Sequence, residues 1–252
     1  MTLIIGIIAT GFVVGLLVGL TGMGGALLMT PLLIVLYGFS PTMAIGTDLV
    51  YACATKAAGS IQHYRQKTVD WEIVKKLAQG SVPGGILGVF LIRLFDLATS
   101  FSIEMVLGTV LGYTFILVSL VMVIQLVQHN KERSIRNNMK ISLRITGFLG
   151  GLLVGLTSVG SGSVFIAILI LTTALSAAKL VGTDVVHAFI LTLSAGAVHA
   201  SFGHVDWTFV IWLLIGSIPG ILLGGKLTLR IPEFILRLAI VLILFLTGIK
   251  LI

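Results

Sequence analysis

"GLLVGLTGMGG" fills residues 15–25 and "GLLVGLTSVGS" fills residues 151–161, with eight of eleven positions identical at an offset of 136. Each stretch starts as an apolar run and breaks into Gly, Thr and Ser. In water such a break is an ordinary loop. In a bilayer it exposes backbone N–H and C=O groups that only protein or a water-filled cavity can satisfy. The composition decides which solvent applies. The chain of 252 residues is 57% hydrophobic and 10% charged, with a mean hydropathy of +1.16. A water-soluble domain carries about 25% charged residues, so the chain reads as an integral membrane protein. Apolar stretches of the ~20 residues that a helix needs to cross ~30 Å of hydrocarbon fill nearly its whole length. They lack the polar/apolar alternation of a transmembrane barrel. The expected fold is all-α, a polytopic transmembrane helix bundle.

The offset of 136 holds well beyond the opening pair. "GTDLV" at 46–50 meets "GTDVV" at 182–186, His63 meets His199, Asp70-Trp71 meets Asp206-Trp207, and "GSVPGGILG" at 80–88 meets "GSIPGILLG" at 216–224. Two repeats are therefore expected, 1–128 and 145–252, joined by a basic linker at 129–144. In each, a Gly-interrupted helical hairpin precedes three spans, at about 42–62, 72–92 and 103–127 in the first. The N-terminal run lacks a basic leader and a small-residue cleavage pattern, so it reads as mature structure.

Orientation follows from the Lys and Arg that accumulate in cytoplasmic loops. If each broken segment crosses twice, the halves are inverted, with thirteen basic residues inside and two, Arg93 and Lys250, outside. If each crosses once, the halves are parallel and the split is ten to five. The charges favour the inverted ten-helix arrangement, although the runs at 26–39 and 162–174 are short for full crossings. The net charge of +7 lies mostly in connecting segments and implies no nucleic-acid partner.

Gly-interrupted helices at matching places in two halves point to a transporter's binding site. Where helix resumes after the break, loop amides and the positive end of the helix dipole suit an anion. Thr21, Gly22, Gly24 and Gly25 in the first break, and Thr157, Ser158, Gly160, Ser161 and Gly162 in the second, are the candidate substrate contacts. Other glycines read as packing: Gly11, Gly15 and Gly19, their mates Gly147, Gly151 and Gly155, and the triplets at 80, 84, 88 and 216, 220, 224 recur every four residues, the small-residue seam of close membrane helices.

Charges inside spans mark ion or substrate pathways. Lys56 stands mid-span opposite Thr192 in the repeat, either to attract an anion or to pair with an acid. Thr47 with Asp48 and Thr183 with Asp184 open equivalent spans and either cap them or take part in coupling; His187, one turn after Asp184, either shares its proton or makes a structural hydrogen bond. Asp70 and Asp206 read as helix caps, and Trp71 and Trp207 as interfacial anchors. The lone Cys53 excludes an intrachain disulfide and reads as a small buried hydrophobe. No metal-ligand spacing or nucleotide motif is present, no cofactor is expected, and the scattered acids argue against an enzyme.

Taken together, the glycine break followed by a short run with Pro31, the "GTDLV" span start, the basic loop closing on Asp70-Trp71, and "PGGILG", all repeated, resemble the TauE/SafE sulfite exporter family of membrane transporters. The resemblance covers essentially the whole chain. It implies a multi-pass protein of the cytoplasmic membrane that carries small sulfur-containing anions such as sulfite, sulfoacetate, sulfonates or thiosulfate by secondary active transport. Alternating access would be driven by a proton or sodium ion; a passive anion channel is the alternative. The expected partners are the anion, the coupling ion and membrane lipid, and a homodimer is compatible with such a bundle. Here Ser161, Ser163 and Met23 stand where the family is often richer in glycine.

Overall fold

The computed structural model describes residues 2–21, 27–98, 102–128, 142–160, 162–173, 175–227 and 233–252. Gly22, Gly24, Gly25, Ser161 and nearly all of the 129–144 linker lie outside the described residues, as does the side chain of Thr21. The described residues form ten α-helices and no strand. The first half supplies α1 (Thr2–Thr21), α2 (Met29–Tyr37), α3 (Pro41–Arg65), α4 (Trp71–Ala98) and α5 (Ile103–Gln128). The second supplies α6 (Leu143–Thr157), α7 (Ser163–Thr172), α8 (Ala177–Ser201), α9 (Trp207–Leu227) and α10 (Glu233–Leu251). Five of them, α1, α4, α5, α8 and α9, are long and apolar enough to cross a membrane. Large apolar side chains such as Leu94, Leu97, Tyr113, Leu222 and Leu246 stand exposed, as expected for a surface facing lipid rather than water.

The glycine seams hold the helices together across the halves. A Cβ placed on Gly11 or Gly15 would strike the backbone of Leu213 or Ser217 in α9, and one on Gly216, Gly220 or Gly224 would strike the backbone of α1. The same holds between α4 and α6: Gly80, Gly84 and Gly88 meet the α6 backbone, and Gly147, Gly151 and Gly155 meet that of α4. In hydrocarbon, helix association depends on such close contact because lipid tails are as apolar as leucine. Both pairs run parallel, since residue numbers rise together along each seam. Pro83 and Pro219 lie inside these helices, which continue through them.

The repeat-related helices pair in the opposite sense. Gly46 near the start of α3 abuts His204 just beyond α8, whereas Gly59 and Ser60 near its end meet Val185 near the start of α8. Helices α3 and α8 are thus antiparallel. So are α5 and α10, in which Gly108 meets Leu251 while Gly112 and Gly248 face each other.

Short helices occupy the places expected for the broken segments. α2 has nine residues and α7 ten, about 14–15 Å of helix and half a bilayer core. α2 turns back beside α1, which places Tyr37 Oη 2.7 Å from Thr10 Oγ1. Gly38, left-handed at φ 68°, ends α2 and donates its N–H back to the Ile34 carbonyl.

Candidate functional site

Helix α3 begins at Pro41, so Asp48 and Thr47 lie about two turns inside it, and Thr183 and Asp184 lie equally deep in α8. None of the four caps its own helix, which corrects the capping alternative. The span expected at about 42–62 starts within a residue of α3; the misreading was to take Thr47 and Asp48, six and seven residues further in, as its opening. The two threonines serve other helices instead. Thr47 Oγ1 accepts the backbone N–H of Asp206 at 3.0 Å, and Thr183 Oγ1 accepts that of Asp70, also at 3.0 Å. Asp206 and Asp70 then act as the expected caps, taking the N–H groups of Phe209 and Ile73 on their Oδ1 atoms at 3.0 and 3.2 Å.

Asp48 is fully buried. Thr30 Oγ1, from the first turn of α2, donates to its Oδ2 at 2.6 Å, and Ser158 Oγ, from the turn after α6, donates to the same oxygen at 2.8 Å. The two hydroxyl oxygens are themselves 2.6 Å apart. Asp48 Oδ1 has no partner among the described residues. One carboxylate oxygen therefore joins the start of the first half's short helix to the break of the second half. Ser158 can occupy this place because it is left-handed at φ 58°, followed by Gly160 at φ 95°.

Two turns beyond Asp48, Lys56 is buried as well, and it lies within electrostatic reach of Asp184 first and of Asp48 and Cys53 next. Asp184 stands in the same local sequence as Asp48 but in different company: the repeat positions of Thr30 and Ser158 are Ile166 and Gly22, and the charge facing it is Lys56.

His187 does not pair with Asp184. Its Nε2 lies 2.7 Å from Ser81 Oγ on α4, and its ring stacks edge-on against Phe165. The repeat mates of this pair, Tyr51 and Ser217, also face each other, without completing a well-aligned bond. Thr157 spends its hydroxyl inside the turn: it donates to the Leu153 carbonyl at 2.7 Å and accepts the Val159 N–H at 3.2 Å. Gly162 is the buried residue before α7. Among the described residues no group of His, Cys, Asp and Glu could hold a metal ion.

Thr30, Tyr51, Ser81 and Ser217 were missed in the sequence because they lie inside apolar helices. A signal for Thr30 was present: it is polar in one half and Ile166 in the other. The same signal marks Glu104, whose mate is Ile240. Glu104 accepts the N–H of Thr42 at 3.0 Å and its hydroxyl besides, at a cleft of about 150 Å³ also lined by Arg93, Asp96 and His204. His204, in the loop between α8 and α9, has its pKa lowered, chiefly by burial.

An all-helical bundle with five candidate spans, a lipid-facing apolar surface and buried charges defines a multi-pass membrane protein. The sequence comparisons narrow that class. The family profile described as "Sulfite exporter TauE/SafE" matches residues 7–251, and the chain belongs to that family of membrane transporters. It is 42% identical to the "Probable membrane transporter protein YjnA" of Bacillus subtilis (strain 168), over 98% of this chain and 99% of the relative. It is 26% identical to the "Probable membrane transporter protein YunE" of the same organism, over 88% of this chain and 85% of that one. A "Probable membrane transporter protein" of Xylella fastidiosa (strain 9a5c) is 27% identical over 90% of this chain and 84% of its own. No solved structure gives a significant match.

Proposed function

We propose that this membrane transporter is a secondary active carrier of small sulfur-containing anions of the sulfite, sulfoacetate, sulfonate or thiosulfate class, working by alternating access in the cell membrane. The observation that carries the reading is the convergence of Thr30, Ser158 and Asp48, from α2, the second break and α3, with Lys56 two turns further along α3. Helix termini and polar side chains from both halves meeting in the protein interior are what a small hydrophilic substrate needs in place of water. Lys56 supplies the attractive charge. Ser158, Gly160 and Gly162 supply contacts from the second break; Thr157 shapes its turn, and Ser161 is a further substrate contact expected from the sequence. Thr21, Gly22, Gly24 and Gly25 play the matching part in the first half. Inverted halves are part of the proposal, supported by the antiparallel course of the repeat-related pairs α3/α8 and α5/α10.

The test is flux. Purified protein in proteoliposomes is offered labelled sulfite, thiosulfate, sulfoacetate and taurine under an imposed ion gradient with the voltage clamped. Accumulation of at least one of them above the outside concentration is expected. Flux that only equilibrates means a channel, and no flux of any of them refutes the reading.

Orientation has its own test. With Cys53→Ser as background, Ser201→Cys at the end of α8 is expected to react with an impermeant thiol reagent applied outside. Reaction only from the cytoplasmic side would reverse the assignment.

A further inference from the structure

Three oxygens, Thr30 Oγ1, Ser158 Oγ and Asp48 Oδ2, lie at mutual distances of 2.6, 2.6 and 2.8 Å. Oxygen atoms come this close when a hydrogen lies between them. The triangle has three edges, and the two hydroxyls bring two hydrogens. With Asp48 ionised, both hydroxyls donate to Oδ2 and the edge between them is two lone pairs facing each other; a proton on Oδ2 lets one hydroxyl turn toward the other, each oxygen then donating to the next around the ring. As placed, the oxygens are closer than ligands sharing one cation: even a small Mg²⁺ octahedron, at about 2.0–2.1 Å per oxygen, spreads neighbouring ligands to about 2.9 Å, so they would have to move apart to take one.

Two further observations agree. Among the described residues Asp48 Oδ1 is buried without a partner, as is Asp184 Oδ1; with a single lysine between the two acids, this is a costly place for half of an ionised carboxylate and a cheaper one for a neutral acid. The charges of the cluster also leave one acid over. Asp48 itself meets Lys56 and Tyr51 of its own helix and the hydroxyls of α2 and of the turn after α6. One step further out, α8 contributes Asp184, drawn to Lys56, and His187, turned to Ser81. α9 contributes Ser217 beside Tyr51, and Glu104 of α5 is engaged by Thr42. Two aspartates and one lysine become neutral together by taking up one proton.

We infer that Asp48 is a proton-binding site closed by Thr30 and Ser158, and that its proton is taken up together with the substrate anion, making the carrier a proton–anion symporter rather than a sodium-driven one. The symport step rests on the anion-carrier reading above; the proton site does not. An anion approaching Lys56 meets a neutral cluster when Asp48 is protonated and a negative one when it is not. Proton and anion therefore favour each other's binding by the same factor. Because the ring spans α2 and the second break, losing the proton leaves Oδ2 accepting from both hydroxyls and sets the two hydroxyl oxygens against each other, which rearranges the contact between the two halves at this point.

The proton site is read directly by infrared titration of the purified protein. A protonated-carboxyl C=O band is expected at neutral pH, absent in Asp48→Asn and restored in Asp48→Glu. Thr30→Val and Ser158→Ala are expected to move its midpoint by about one pH unit, a tenfold change in proton affinity. A band unchanged in Asp48→Asn, or none in the wild type, overturns the inference. In proteoliposomes with the voltage clamped, labelled sulfoacetate is expected to accumulate up to tenfold per unit of inward proton gradient, and Asp48→Asn to abolish this. Accumulation driven by sodium alone, or a proton-driven signal intact in Asp48→Asn, overturns the symport. If the wild type shows the band but carries none of the four compounds tested above, the anion reading fails and the proton site stands.

Discussion

Asp48 and Asp184 share a local sequence, a depth in their helices and almost complete burial, yet their surroundings differ in kind. Asp48 is held by hydroxyls from two other segments, whereas Asp184 faces the cation of Lys56. Gene duplication delivers two equal sites, and a handful of unmatched side chains makes them unequal. Thr30 against Ile166, Ser158 against Gly22 and Lys56 against Thr192 are enough. The scaffold stays symmetric: Thr47 and Thr183 make the same bond at the same distance.

The comparison breaks most severely at Lys56. Lys56→Met leaves the buried Asp184 without its cation, and removing one partner of a buried pair costs about 3–5 kcal/mol. A large drop in thermal midpoint and in yield of folded protein is expected. Lys56→Met combined with Asp184→Asn should regain much of it; no recovery would show that Lys56 answers chiefly to Asp48. A smaller effect is expected on the other side of the pair. Thr30→Val or Ser158→Ala should each cost about 1–2 kcal/mol, the upper part of the range for interhelical bonds within a membrane because the acceptor is a buried carboxyl, read as a shift in detergent unfolding. Ile166→Thr at the mate of Thr30 should gain nothing, because Gly22 offers no second hydroxyl. Smallest, and equal in the two halves, are Thr47→Val and Thr183→Val, at about 1 kcal/mol each. Unequal losses there would mean that the scaffold shares the asymmetry of the site.

The repeat made much of this architecture legible from sequence. Glycines every four residues, Gly11 with Gly15 and Gly147 with Gly151, identified the seams because close helix contact requires the absence of a side chain at that spacing. Asp70 and Asp206 were readable as caps for a similar reason, standing just before Trp71 and Trp207. The center of the candidate site was only half legible. Asp48 and Lys56 stand out as charges in apolar runs, but Thr30 looks like any threonine in a helix until α2 folds back and brings it to a residue of another segment. Which residue each seam would meet was not legible either. Periodicity marks a face for contact without naming the helix that fills it, and the partners turned out to lie in the opposite half.

That exchange of partners bears on how the protein is made. α1 packs on α9, and roughly 190 residues separate them along the chain. At ribosomal rates of about 5–20 residues per second, α1 waits on the order of 10–40 s before its mate exists. During that interval its row of glycines faces lipid or the insertion machinery, an exposed groove on a helix that is already in the membrane. The step most vulnerable in the cell is therefore the late arrival of α9 rather than the insertion of the first spans.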